Sequence, residues 1–302
     1  MNPGVAAAVV AAALWAASSA ALASQAGRLD SLTISFLRAF WASVFLILAV
    51  PALGATGDFQ AVGIGAAIGL ALSAMVGIGG GDTVYVAALG ALGMTRAFTI
   101  SLGVYTVCTY ALAAVFLDET VTWRIAFGSA LVVLGVYVVA ILGRVRGPGE
   151  LAPPAERIEE PKVWRGLALV SIAALAWAVA TVWLRHAAGD TSPVVAGAIR
   201  VPAAGLLLGA AAFALPTSSL RLRNIPRRSG IVLAISGLIG TGMGSLLFIY
   251  AVQEAGAGRT AVITSISPLF ALPLGAIFLR ERITRWIVVG TILAVAGIVL
   301  LA

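Results

Sequence analysis

Ten apolar runs, each close to twenty residues long, divide the chain, and they constrain its fold more than any other feature. They lie near 4–24, 33–53, 67–91, 97–117, 123–142, 166–184, 194–214, 230–252, 260–279 and 286–302. A bilayer core about 30 Å thick is crossed by roughly 20 apolar residues of helix. A spanning backbone must satisfy its own hydrogen bonds, which leaves only helices or a closed barrel. The runs are about twice the length of barrel strands and do not alternate polar with apolar residues. The sequence therefore predicts an all-α integral membrane protein with ten transmembrane helices. Composition agrees: 61% of the 302 residues are hydrophobic and only 10% are charged, against about 25% charged in a soluble chain.

The runs form two copies of one unit. Trp15 and Trp177, Arg38 and Arg200, and Glu119 and Glu281 are each 162 residues apart, as are Gly128 and Gly290, and Gly135 and Gly297. Between these anchors the offset becomes 163, pairing Gly81 with Gly244, Gly93 with Gly256 and Arg96 with Arg259. One residue of slippage inside a helix accounts for the change. Residues 1–142 form the first five-helix repeat, 143–165 a polar Pro-rich linker, and 166–302 the second repeat. Since five is odd, the second copy enters the membrane from the opposite side and is inverted, a construction of many secondary transporters. The string Ala21-Leu22-Ala23 resembles a signal cleavage site. The first run nevertheless has a counterpart in the second copy and is expected to belong to the fold.

Charge sets orientation. Of 19 Lys and Arg, fourteen fall in the loops between odd and following even runs, three on the face carrying both termini, and two, Arg38 and Arg200, inside runs. The Lys/Arg bias places both termini outside, in the periplasm of a bacterial cell. The pI near 10.5 reflects these loop cations rather than a nucleic-acid surface. A lone cysteine, Cys108, excludes an intrachain disulfide.

Inside the membrane, the third run holds Gly77-Ile78-Gly79-Gly80-Gly81-Asp82 and the eighth holds Gly240-Thr241-Gly242-Met243-Gly244-Ser245. Glycine-interrupted segments at matching places in two repeats point to a transporter's binding site. Asp82 is the acidic residue at mid-depth, where a carboxylate is expensive. It is expected to bind a substrate ammonium or take up a proton, or else to bond backbone N–H groups where the glycines loosen the helix; its counterpart is Ser245. Trp15, Trp177, Tyr85, Tyr105 and Tyr250 lie within runs, as stacking surfaces for a substrate or as packing. Arg38 and Arg200, one to two turns inside their runs, suit bracing or gating better than one shared site. A carboxylate clamp is the alternative. Pro268 and Pro273 are expected to loosen the ninth run. No phosphate loop, HExxH or Cys/His cluster occurs, so no catalytic residue, metal or cofactor is expected, and an intramembrane enzyme or a channel is the weaker reading.

The string Gly81-Asp82-Thr83-Val84-Tyr85-Val86-Ala87-Ala88-Leu89, with Gly93-Met94-Thr95-Arg96-Ala97, resembles the motif of EamA-type transporters. So do Ser267-Pro268-Leu269-Phe270 and Phe278-Leu279-Arg280-Glu281-Arg282-Ile283-Thr284. The chain is similar, over nearly its whole length, to the drug/metabolite transporter superfamily. The resemblance implies two inverted repeats and a bacterial inner-membrane exporter of small metabolites. It also implies amino acids as prominent substrates, and a cavity lined by helices three, four, eight and nine. The first copy departs in having Tyr105 or Thr106 where the second has Pro268. Together these readings give a secondary transporter exporting a small amphipathic metabolite by alternating access, with a neutral or aromatic amino acid first. The proton is a candidate coupling ion, and a multidrug exporter of organic cations is the alternative. The glycines at 79, 80, 81, 242 and 244 let helices approach and bend.

Overall fold

A computed structural model describes residues 3–117, 123–142, 160–216, 218, 225–280 and 283–301, and every regular element among them is helical. Glu119, Glu281 and most of the 143–165 linker lie outside the described residues. Eight helices are long and apolar enough to cross a membrane: α1 (Pro3–Gln25), α2 (Ser31–Ala52), α3 (Ile64–Leu92), α4 (Met94–Phe116), α6 (Glu160–Ala188), α7 (Pro193–Ala214), α8 (Arg227–Ala255) and α9 (Ala257–Phe278). Two further apolar helices are shorter. α5 (Trp123–Tyr137) runs on into a π-helical turn (Val138–Leu142), and α10 covers Arg285–Leu301. A short helix at Thr56–Ala61, between α2 and α3, has no counterpart among the predicted runs.

Local chemistry sets the boundaries. Asp30 caps α2, its carboxylate accepting from the Thr33 amide at 2.9 Å, which satisfies one of the donors a helix start leaves free. α3 passes into α4, and α8 into α9, through single glycines, Gly93 at φ 72° and Gly256 at φ 87°. A side chain at either would be strained in that left-handed conformation. α6 begins at Glu160, six residues before the predicted start, so 160–165 belong to the helix and not to the linker. Pro161 does not prevent this, because the first turn has no use for its missing N–H.

The two offsets now have places. α2 and α7 end 162 residues apart, at Ala52 and Ala214, while α3 and α8 begin 163 apart, at Ile64 and Arg227. The first change of register therefore lies in a connection and not inside a helix, where a loop absorbs an extra residue at little cost. The return to 162 does fall inside a helix. α4 is continuous, but α9 is interrupted at Ser265–Ile266 and resumes with Pro268 in the first turn of Ser267–Phe278. Hydroxyl groups hold the break: Ser265 Oγ meets Thr106 Oγ1 on α4 and donates to the Ala261 carbonyl at 2.7 Å.

Packing exchanges partners between the copies. α1 lies against α8 and α9, while α6, its counterpart, lies against α3 and α4. α2 packs on α7 and α5 on α10. The α5–α10 pair meets backbone to backbone: a Cβ at Gly135 would come within 2.5 Å of the Gly290 carbonyl, and one at Gly297 within 2.5 Å of the Gly128 carbonyl. Small residues that admit such approach are the main attractive device where lipid offers no hydrophobic drive. Many large apolar side chains face outward, with Leu206 76% exposed and Ile47, Phe213 and Ile277 similarly bare. In a water-soluble protein that surface would be an association hazard; in lipid it is the solvated face.

Candidate functional site

The glycine clusters fold as π-helical turns at matching places, Met75–Asp82 in α3 and Gly237–Gly244 in α8. Glycine-rich stretches loosen a helix, and here they take the wider π winding. π turns recur at functional sites, where an added residue re-aims the side chains around it. Here each turn is seated on a tryptophan of the other copy. A Cβ at Gly81 would lie 2.7 Å from Trp177 Nε1, and one at Gly244 would lie 2.8 Å from Trp15 Nε1. Gly79 faces Leu207, Gly242 faces Phe45, and Gly80 is exposed on the outer side. These glycines therefore admit neighbouring helices and do not line a cavity.

Between the tryptophans is a cavity of about 120 Å³, walled by α1, α2, α3, α4, α6, α7 and α8. It gathers Trp15, Trp177, Tyr85, Tyr105, Asp82, Ser245, Arg38 and Arg200, eight of the residues singled out from sequence. Pro268 is buried on α9 outside it, and Tyr250 lines a separate shallow depression beside Leu53 and Ser192. The expectation that helices three, four, eight and nine form the walls needs correcting. α9 contributes no lining residue, and α1, α2, α6 and α7 all do, because the exchanged packing brings α1 and α6 to the centre.

Aromatic walls repeat between the copies. Trp15 stacks obliquely on Phe248 with centroids 5.0 Å apart, and Trp177 on Tyr85 at 5.3 Å. Phe248 stands 163 residues after Tyr85, so these are one contact made twice. Tilted geometry of this kind is the favoured one for aromatic pairs.

The polar groups do not repeat. Arg38 Nη1 donates to Asp82 Oδ2 at 3.2 Å, and Arg38 Nη2 donates to Ser18 Oγ at 3.3 Å. Ser18 Oγ shares a 2.8 Å hydrogen bond with Ser236 Oγ. Trp177 Nε1 donates to Asp82 Oδ1 at 2.9 Å, whereas Trp15 Nε1 donates to the Gly240 carbonyl at 3.2 Å. Asp82 is thus held by two side chains instead of by backbone amides. In the second copy Arg200 donates through Nε to Ser73 Oγ at 3.1 Å. Arg38 and Asp82 thus form an ion pair inside the cavity wall.

Both arginines were expected to suit bracing or gating better than one shared site. The structure instead brings them to the same cavity, 6% and 5% exposed, because a long arginine stem carries its head well away from its own backbone. Nearby, the Tyr105 hydroxyl hydrogen-bonds Thr181 Oγ1 at 3.1 Å, and Thr241 Oγ1 is buried without a partner. Sequence reasoning missed Ser18, Ser73, Thr241 and Phe248. The last could have been found from its register with Tyr85. Among the described residues no three His, Cys, Asp or Glu converge as metal ligands would.

The family description "EamA-like transporter family" matches residues 2–141 and 164–302, two segments that coincide with the two copies. Two proteins of Archaeoglobus fulgidus, each described as an "Uncharacterized transporter", are similar in sequence. One is 29% identical over 126 residues, 42% of this chain and 43% of its own length. The other is 27% identical over 299 residues, covering 97% of this chain and 95% of its own length. A solved crystal structure shares the fold, with a TM-score of 0.70 and 17% identity across 98% of this chain and 95% of that one.

Proposed function

The chain belongs to the EamA-like transporter family, and from that premise we propose that it is a secondary transporter exporting a small amphipathic metabolite across the bacterial inner membrane. Its first-choice substrate is a neutral or aromatic amino acid. The observation that carries this reading is the cavity itself, built between the copies from equivalent residues: Trp15 with Trp177, Arg38 with Arg200, Tyr85 with Phe248, Asp82 with Ser245. Ligand sites at the interface of two repeats, beside interrupted helices, are how inverted-repeat carriers bind their cargo.

In this proposal ten helices cross the membrane as two inverted five-helix repeats, with both termini periplasmic. The exchanged packing of α1 on α8 and α6 on α3 supports a two-fold relation of that kind. Rocking one repeat against the other would open the cavity to each side in turn. The π turns are the natural places for the helices to flex, since their hydrogen bonding already departs from the regular ladder. Asp82 is the group through which a proton gradient would act, with Arg38 as its counter-charge. The polar groups serve binding and none is assigned a catalytic task.

Export of organic cations is the rival. It needs a carboxylate free to meet a cation, and Asp82 is already engaged by Arg38 and Trp177, which favours the metabolite reading. Counterflow decides: proteoliposomes preloaded with unlabelled amino acid should take up labelled tryptophan or threonine in a saturable manner. Uptake that never saturates would indicate a channel. Exchange driven only by cationic dyes would replace the metabolite reading by the multidrug one.

A further inference from the structure

Resting on the reading of this cavity as a transport site, we propose that it grips its cargo by a carboxylate, through Arg200, and offers no matching site for an ammonium group. The feature it recognises in its cargo, amino acids included, is therefore a single carboxylate on an apolar or aromatic body. An amino acid is held by its acid end alone.

Three charged side chains reach the cavity: Arg38, Asp82 and Arg200. Two of them cancel, at 3.2 Å. One positive charge is left over, and it is Arg200. Its Nε is fixed by Ser73 at 3.1 Å, while its two terminal nitrogens make no hydrogen bond to any described residue. The carboxylate that would neutralise it is missing for a reason readable in the repeat, because the counterpart of Asp82 is Ser245. The second copy keeps the arginine and lacks the acid.

A guanidinium is always charged and presents N–H donors in a planar fork that matches a carboxylate's two oxygens. An intramembrane cation that has no partner of its own marks a ligand path by default. One surplus charge suits a monoanion better than a phosphate dianion, whose second charge would stay uncompensated. The body of such a ligand would lie against Trp15, Trp177 and Tyr85. An ammonium group entering the same space would meet two arginines and a carboxylate already bonded on both oxygens.

Three probes that share one phenyl body separate the possibilities: 3-phenylpropionate carries the acid alone, phenethylamine the amine alone, and phenylalanine both. Equilibrium dialysis of the purified full chain with labelled 3-phenylpropionate gives direct binding, and the other two serve as competitors. The expected result is that 3-phenylpropionate binds at least as tightly as phenylalanine, with phenethylamine at least tenfold weaker. Arg200→Gln should weaken acid binding at least tenfold and erase the preference for acid over amine. Arg200→Lys keeps the charge but not the fork and should fall between, which keeps the test valid if the glutamine variant does not fold. The inference is overturned if phenethylamine binds as well as the acid, if 3-phenylpropionate does not bind, or if acid binding ignores Arg200. Counterflow on the same preparation distinguishes the two readings. Arg200-dependent binding without exchange would sink the transport function but not the site. Exchange indifferent to Arg200 would do the reverse.

Discussion

Arg38 and Arg200 stand at the same place in two copies of one fold, equally buried, and do opposite things. The first is spent inside the protein, bonded to Asp82 and Ser18 and leaving only its Nε without a partner. The second is anchored through its Nε to Ser73 and lines the cavity with no acid beside it. The difference comes from one position, Asp82 against Ser245. Duplication gives a symmetric frame, and a single acid-to-hydroxyl difference gives that frame a direction: one half locked, the other available.

Breaking the locked half should have the largest effect. Arg38→Ala leaves the partly buried Asp82 carboxylate with only Trp177. Stranding one partner of a fully buried pair costs about 3–5 kcal/mol, and the 20% exposure of Asp82 places this loss at or below the lower end. Unfolding followed in detergent should show a loss of that size, most of it restored in Arg38→Gln/Asp82→Asn. If the single and double variants are equally unstable, the pair is not what holds the two helices. The converse change, Ser245→Asp, gives the open half the acid it lacks. It should leave stability near wild type and reduce 3-phenylpropionate binding at least tenfold, to be read by the same dialysis experiment.

Overpacking the tryptophan seats ranks next. Gly81→Ala and Gly244→Ala each set a methyl within 3 Å of an indole, and forced overpacking costs about 1–3 kcal/mol. Melting temperatures should fall alike in both. Transport should suffer more in Gly81→Ala, because Trp177 also holds Asp82 while Trp15 bonds only a carbonyl. Equal transport losses would dissolve that distinction. The smallest contrast lies at Gly90 and Gln253, equivalent positions near the ends of α3 and α8. Gly90→Ala meets open space and should gain about 0.5–1 kcal/mol from the glycine's lost freedom. Gln253→Ala loses hydrogen bonds to the Thr191 and Gly189 carbonyls and should lose about 1 kcal/mol. Opposite shifts in melting temperature are the outcome to look for.

Most helix positions were legible because lipid imposes a length and a polarity on each run, and the repeat was legible because Trp, Arg and Gly recur at fixed offsets. Sequence placed Asp82 at mid-depth and both tryptophans within runs, and the structure sets all three on one cavity. What could not be read was which polar groups touch. Arg38 and Asp82 are 44 residues apart on different helices, and depth along a helix does not say toward which neighbour a long side chain leans. Nor did the glycine clusters announce π turns. Glycine permits that winding, but the indole packed on each turn belongs to the other copy, a contact that no local pattern encodes.

The exchanged packing also bears on how the protein is made. α1 finds its neighbours α8 and α9 only in the last quarter of the chain. At a synthesis rate of roughly 5–20 residues per second, the first helix waits on the order of ten to fifty seconds in the bilayer. During that time its buried face, with Ser18 and Ser19, is open to lipid or to passing helices. The nascent first half is therefore an unfinished object instead of a small folded unit, in need of a temporary companion until its second half arrives.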